Sequence, residues 1–99
     1  MDQPIIDMLP AVPVIRDYEA RVNVTWGGQN GDLPDPIAYD LPDDQIKDMV
    51  AEAVRNGYVP GLQANAAVDL HDYKVDRFPP NDQRPYNLVQ VRPKTAFGG

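Results

Sequence analysis

The most regular hydrophobic pattern in the chain lies between residues 43 and 57. Apolar residues recur there at spacings of three and four, at Ile46, Met49, Val50, Ala53 and Val54. This spacing places them on one face of a helix. Pro42 and the acidic pair Asp43 and Asp44 suit a helix N-terminus, and Gly57 suits a helix end. The pattern therefore predicts one amphipathic helix from Asp43 to Gly57.

Strict alternation of apolar and polar residues precedes this helix. Val22, Val24 and Trp26 share one face, so Arg21 to Trp26 is predicted to be a half-buried strand. The Gly- and Asn-rich residues 27–32 predict a turn. Ile37, Tyr39 and Leu41 alternate again and predict a second strand. The two strands are expected to form an antiparallel hairpin with a connection longer than a tight turn.

Shorter alternating stretches follow the helix. Residues 66–70 predict a short strand with Val68 and Leu70 pointing inward, and a turn or bulge is expected at residues 71–72. A second short strand is predicted around Tyr73. The last strand, residues 87–92, places Val89 and Val91 on one face.

This order predicts an α+β fold, with a mixed four- to five-stranded sheet packed on one helix. The final strand is expected to lie parallel to the first, after a crossover through the helix. Residues 1–19 lie outside this pattern, since their apolar residues are interrupted by Pro4, Pro10 and Pro13. We expect an N-terminal arm over residues 1–19, which is either flexible or a docking segment that covers a groove or adds to a sheet edge. The domain then covers residues 20–92 and a C-terminal tail residues 93–99.

Composition narrows the classes of function. The chain has 99 residues, a length that predicts one domain. The chain has a net charge of −6. Its acidic balance argues against nucleic acid and anionic membranes as partners. The absence of cysteine excludes disulfides and a thiol nucleophile. No apolar run is long enough to span a membrane, and we expect a cytoplasmic protein.

The chain ends on two glycines. From Arg84 onward it carries three basic residues and no acidic one. Glycine accepts nearly any backbone conformation and lets another chain approach closely. Gly98 and Gly99 could therefore pass through a narrow slot and be activated at the terminal carboxylate. A frayed chain end is the simpler interpretation of the same residues.

The order of elements together with the terminal Gly98-Gly99 resembles the ubiquitin-like β-grasp proteins. The resemblance covers residues 20–99, with the helix from Asp43 to Gly57 and the last strand with its tail as its main features. It points in particular to the ubiquitin-like modifiers of bacterial operons. Arg92 and Lys94 resemble the basic residues that precede the diglycine in this family, whereas Phe97 replaces the usual arginine.

The resemblance implies a protein modifier rather than an enzyme. An ATP-dependent activating enzyme would adenylate the carboxylate of Gly99, which is the attachment residue. The protein would then pass through thioester intermediates, with the help of a conjugating enzyme, to target proteins. A deconjugating protease would reverse the step. The residues expected to bind these enzymes form the tail: Arg92, Lys94, Thr95, Ala96, Phe97 and Gly98. No cofactor is implied.

Two other functions remain open from the sequence. A sulfur carrier of the same fold would convert the C-terminal carboxylate to a thiocarboxylate. A non-covalent interaction module would use the fold while its diglycine is incidental. His71, flanked by Asp69 and Asp72, is the one histidine, and we interpret it as a surface residue because no second ligand or nucleophile accompanies it. The acids that begin the helix are interpreted as capping and dipole-complementing residues.

Overall fold

A computed structural model describes residues 14–94. In these residues, five strands and one helix follow one another in the order β1 (Glu19–Trp26), β2 (Gln29–Asp32), β3 (Ile37–Ala38), α1 (Asp43–Arg55), β4 (Tyr73–Phe78) and β5 (Asn87–Pro93). The sheet order is β2-β1-β5-β4, and β3 also pairs with β1. β1 and β5 are parallel, whereas the other pairs are antiparallel. The predicted α+β fold with a mixed sheet and a single helix is confirmed, and this arrangement is consistent with a β-grasp fold.

The core lies between the helix and one face of the sheet. Alternate residues of the two central strands, Val22 and Val24 on β1 and Val89 and Val91 on β5, are fully buried. The helix contributes Ile46, Val50, Ala51 and Val54 to the same cluster. The predicted alternation on the first and last strands and the predicted apolar helix face are therefore confirmed, and burial of these side chains is the main source of stability.

The hairpin that begins with β1 differs in part from the prediction. β3, which lies within the predicted second strand, does pair antiparallel with β1, but the strand that follows β1 directly is β2. Gly27 and Gly28 both have positive φ angles, 60° and 79°, which is the conformation of a two-residue type I′ hairpin turn. The chain therefore reverses at once, and β2 begins at Gln29 within the stretch predicted to be a turn. The predicted strand at residues 37–41 is reduced to the two residues of β3. Pro34 and Pro36 separate β2 from β3 because proline has no N–H to donate.

The helix ends in a Schellman motif. The Gly57 N–H donates to the carbonyl of Val54, and the Tyr58 N–H donates to that of Ala53. Gly57 has a φ of 73°, as this motif requires. At the other end, Pro42 occupies the N-cap position and no side chain caps the helix. The expectation that the acids act as caps is therefore wrong: Asp43 and Asp44 lie in the first turn, where they complement the helix dipole, and Asp43 pairs with Arg77.

The predicted strand at residues 66–70 is absent from the described structure, although Val68 and Leu70 are buried as expected. In this stretch, side-chain oxygens accept hydrogen bonds from main-chain N–H groups that a strand would donate to a neighbouring strand. Asn65 Oδ1 accepts from the Ala67 N–H, and Asp69 Oδ1 accepts from the His71 N–H. These local turns compete with a sheet ladder. The expected turn follows at residues 71–72, and β4 begins at Tyr73 and is longer than predicted.

Candidate functional site

The candidate site is the end of the sheet from which the C-terminal tail departs. Since β1 and β5 are parallel, both end at this edge, at Trp26 and Pro93, and antiparallel β4 begins there at Tyr73. Tyr73 lies opposite Pro93 in the register. The rings of Trp26 and Tyr73 are 6.0 Å apart between centroids. The tail thus leaves from a central strand, beside an aromatic pair that packs against the core.

Pro93 explains why pairing stops here. The main-chain groups of Tyr73 are bonded elsewhere, since its N–H donates to Leu70 and its carbonyl accepts from Lys47 Nζ. Tyr73 and Pro93 therefore form a non-hydrogen-bonded pair, in which the missing proline N–H costs no bond to β4. Toward β1 the last pair is Val24 with Val91. The next N–H on that side would belong to Pro93, so the parallel ladder ends.

Basic side chains collect on the other face of this end. Lys74 and Arg92 are directly opposite each other on β4 and β5. Such like-charged pairs destabilise a sheet by a few tenths of a kcal/mol up to about 1 kcal/mol. Asp76 offsets part of this repulsion, because its Oδ2 lies 3.1 Å from Arg92 Nη2 and 3.5 Å from Lys74 Nζ. Both cations remain about half exposed, at 46% and 45%.

Of the predicted tail residues, the structure places two. Arg92 lies near the end of β5 on the outer face, and Lys94 is exposed just after the strand. Thr95, Ala96, Phe97, Gly98 and Gly99 lie outside the described residues. Lys74 and Asp76 were not predicted to belong to this site. Their proximity to Arg92 depends on strand register, for which the sequence offers only the alternation within each strand.

His71, which the sequence indicates to be a surface residue, lies on an open groove of about 360 Å³ between α1 and the loop before β4. Its side chain is exposed, as interpreted from the sequence. Its main-chain carbonyl accepts a 3.0 Å hydrogen bond from Lys47 Nζ. Within residues 14–94 no group of three or more potential ligands could hold a metal ion. The same residues include no helix long and apolar enough to cross a bilayer.

Burial perturbs one ionisable group at the tail end of the sheet. Desolvation raises the pKa of the Tyr73 phenol above its ordinary value of 10.0, because the ionised form is poorly solvated beside the core. Tyr73 is therefore neutral at physiological pH. At this edge the Tyr73 ring packs against Trp26.

Comparisons of the chain with protein-family models, with curated proteins and with solved structures found no match. The account of function therefore depends on the fold, the tail end of the sheet and the C-terminal sequence.

Proposed function

We propose that this protein is a ubiquitin-like modifier that is joined to other proteins through the carboxylate of Gly99. An ATP-dependent activating enzyme adenylates the carboxylate of Gly99 with release of pyrophosphate, and an enzyme cysteine thiolate then displaces AMP to form a thioester. A conjugating enzyme presents that thioester to a nucleophile on the target, and a deconjugating protease removes the modifier. The chain itself contributes no catalytic residue to these steps, and the proposed setting is the cytoplasm.

The observation that carries the proposal is the position of β5. This strand pairs on both sides, with β1 and with β4, and its alternate residues are buried. The last six residues therefore continue from the best-anchored strand of the sheet. A folded domain followed by a C-terminal segment that ends in two glycines suits an enzyme that must hold the domain while it acts on the terminal carboxylate.

The basic side chains at this edge support a docking role. Lys74 and Arg92 stay half exposed although their repulsion costs stability, and Lys94 follows them on the tail. An acidic surface on the activating or conjugating enzyme would relieve that repulsion and orient the domain. Phe97 would then enter an apolar pocket of that enzyme, ahead of Gly98 and Gly99.

The test compares the full chain with a chain that ends at Phe97, each carrying an N-terminal tag and expressed in the source cells. We expect the full chain to form higher-mass protein conjugates and the shortened chain to form none. If both give the same pattern, the covalent function is refuted. If the full chain instead carries sulfur in place of one C-terminal oxygen and forms no conjugates, the protein is a sulfur carrier and the modifier proposal fails.

A matched pair of variants tests the docking surface. Arg92→Glu reverses a charge at the tail root, and Arg55→Glu makes the same change near the end of α1, which packs on the opposite face of the sheet from Arg92. Charge reversal at Arg92 should lower the yield of conjugates, whereas reversal at Arg55 should leave it unchanged. Equal yields from both variants would show that the basic residues at the tail root do not dock the enzymes.

A further inference from the structure

Strand β4 forms one edge of the sheet, and its outer side is unpaired within residues 14–94. β4 comes last in the strand order and pairs only with β5. Tyr73 and Pro93 form a non-hydrogen-bonded pair. By alternation, Val75 and Arg77 also direct their main-chain N–H and carbonyl groups away from β5. No main-chain group of the described residues bonds to these outward groups. Residues 1–13 of the predicted N-terminal arm lie outside the described residues.

Opposite charges flank the centre of this free edge. Lys74 and Asp76 precede and follow Val75 on the outer face, with side chains 45% and 30% exposed. A lysine on an edge strand usually discourages pairing with another chain. Here a carboxylate lies on the same face, two residues further along. Oδ2 of Asp76 accepts both hydrogen bonds from Arg92, whereas Oδ1 accepts none within the described part of the chain.

The sequence Lys-Val-Asp at residues 74–76 is complementary to itself when two copies run antiparallel. If Val75 of one copy lies opposite the partner's Val75, Lys74 lies opposite the partner's Asp76. Asp76 then lies opposite the partner's Lys74, because a twofold axis makes each contact twice. Directly opposite charges stabilise a pair of strands. The Oδ1 atom of each Asp76 is the acceptor that the facing lysine would use.

Main-chain hydrogen bonds are equally numerous in this register and in the one shifted by two residues. With the two Val75 residues opposite, they exchange a pair of bonds, and each Arg77 N–H donates to the partner's Tyr73 carbonyl. That carbonyl accepts from Lys47 Nζ and has a second lone pair.

In the shifted register, Val75 and Arg77 exchange bonds twice, which gives the same total. That register, however, places Asp76 opposite the partner's Asp76. Like charges directly opposite each other destabilise a pair of strands. The charges therefore favour the register centred on Val75.

We propose that two copies of this protein associate through the free edge of β4, antiparallel and centred on Val75. The paired stretch, residues 73–77, is short, and small interfaces form weak, transient complexes. Lys74 also belongs to the basic surface at the tail root, so a paired copy competes there with any enzyme that docks on it. The association itself does not depend on the chemistry at Gly99.

A dilution series of the full chain, observed by NMR and by sedimentation, tests the association. Starting at about 1 mM populates even weak dimers. The amide signals of Val75 and Arg77 should shift with concentration, because their N–H groups gain an acceptor in the dimer. The signal of Glu52, exposed on α1, should stay constant. Concentration-independent signals at Val75 and Arg77, with a monomer mass throughout, would overturn the proposal.

A charge swap tests the register. Lys74→Asp places like charges opposite each other in a dimer of that variant, and so does Asp76→Lys; each variant alone should lose the association. An equal mixture of the two should recover it, because every aspartate of one chain then lies opposite a lysine of the other. Glu52→Lys changes the net charge as Asp76→Lys does and should leave the association intact.

The contrary results are equally specific. Association that survives Lys74→Asp unchanged would contradict the register centred on Val75. A mixture of two variants that each keep the parent circular dichroism spectrum, yet stay monomeric together, would contradict the ion pairs. If a variant fails to fold, the dilution series of the parent chain still decides whether the edge of β4 pairs.

Discussion

Among the glycines of the described residues, Gly31 is the one at which packing tolerates a side chain least. It lies on β2 opposite Val24, on the inward side of the sheet, and the loop at residues 59–62 packs directly against it. A Cβ built at Gly31 would lie 2.8 Å from Leu62 Cδ1 and 3.0 Å from Val59 Cγ1, and it would also overlap the Pro60 carbonyl oxygen. The last of these atoms belongs to the main chain, so no rotamer change can remove the clash.

We therefore expect Gly31→Ala to destabilise the domain by about 3 kcal/mol, the upper end of the usual cost of overpacking. For a domain of this size each kcal/mol lowers Tm by roughly 4–8 °C, so Tm should fall by about 12–24 °C. The assay is thermal and urea unfolding followed by far-UV circular dichroism. The denaturant slope should stay unchanged, because the two chains expose the same surface on unfolding.

Gly28→Ala is the matched control. No atom lies within 4 Å of a Cβ at Gly28, and the whole cost comes from its φ of +79°. That strain is about 1–2 kcal/mol. Gly31→Ala should therefore be clearly more destabilising than Gly28→Ala. The reverse order would refute the close packing of the loop on β2 and with it the hairpin described here.

Three further predictions concern the helix, the edge strand and the aromatic pair. Ile46→Ala should cost about 2–5 kcal/mol in urea unfolding, because Ile46 is fully buried; a loss below 1 kcal/mol would contradict its place in the core. Arg77→Ala should speed hydrogen exchange in β4, because Arg77 donates hydrogen bonds to Asp43 and to the carbonyls of Tyr39 and Leu41. Unchanged exchange would show that these contacts do not stabilise the edge strand. Above pH 10 the unfolded chain releases the Tyr73 proton before the folded chain does, so stability falls as pH rises. Tyr73→Phe should therefore lose less stability than the parent in alkaline urea titrations, and equal losses would contradict the raised pKa.

The sequence predicted best the elements whose periodicity is long and uninterrupted. The helix ends within two residues of the predicted boundary because its apolar spacing and Gly57 agree. β1 and β5 were also predicted, since β-branched residues alternate along both. Their parallel pairing followed from the single helical crossover.

The predictions failed where a few side-chain contacts decide the local backbone. β2, with the sequence Gln-Asn-Gly-Asp, lacks the composition of a strand. It forms because the turn at Gly27 and Gly28 sets the register, and because Gly31 admits the loop that covers it. Residues 66–70 alternate like a strand, but Asn65 and Asp69 bond to the backbone locally and prevent pairing.

The candidate site divides in the same way. The role of the tail residues stays a prediction from the C-terminal sequence, and the structure describes only Arg92 and Lys94 among them. Lys74 and Asp76 were not, because they join Arg92 only through the register of β4 and β5. In the sequence, a charged docking residue on a short strand looks the same as an ordinary charged surface residue.

The central claim is that Gly99 becomes covalently joined to other proteins. Trypsin cleaves after Lys94, so a modified target peptide would carry the branch Thr95-Ala96-Phe97-Gly98-Gly99. The decisive measurement is tandem mass spectrometry of tryptic peptides from a lysate of the source cells incubated with the protein, with and without ATP. The account predicts peptides from other proteins that carry this five-residue branch only when ATP is present. Recovery of the tail solely as the free peptide, with no branched product in either sample, would contradict it.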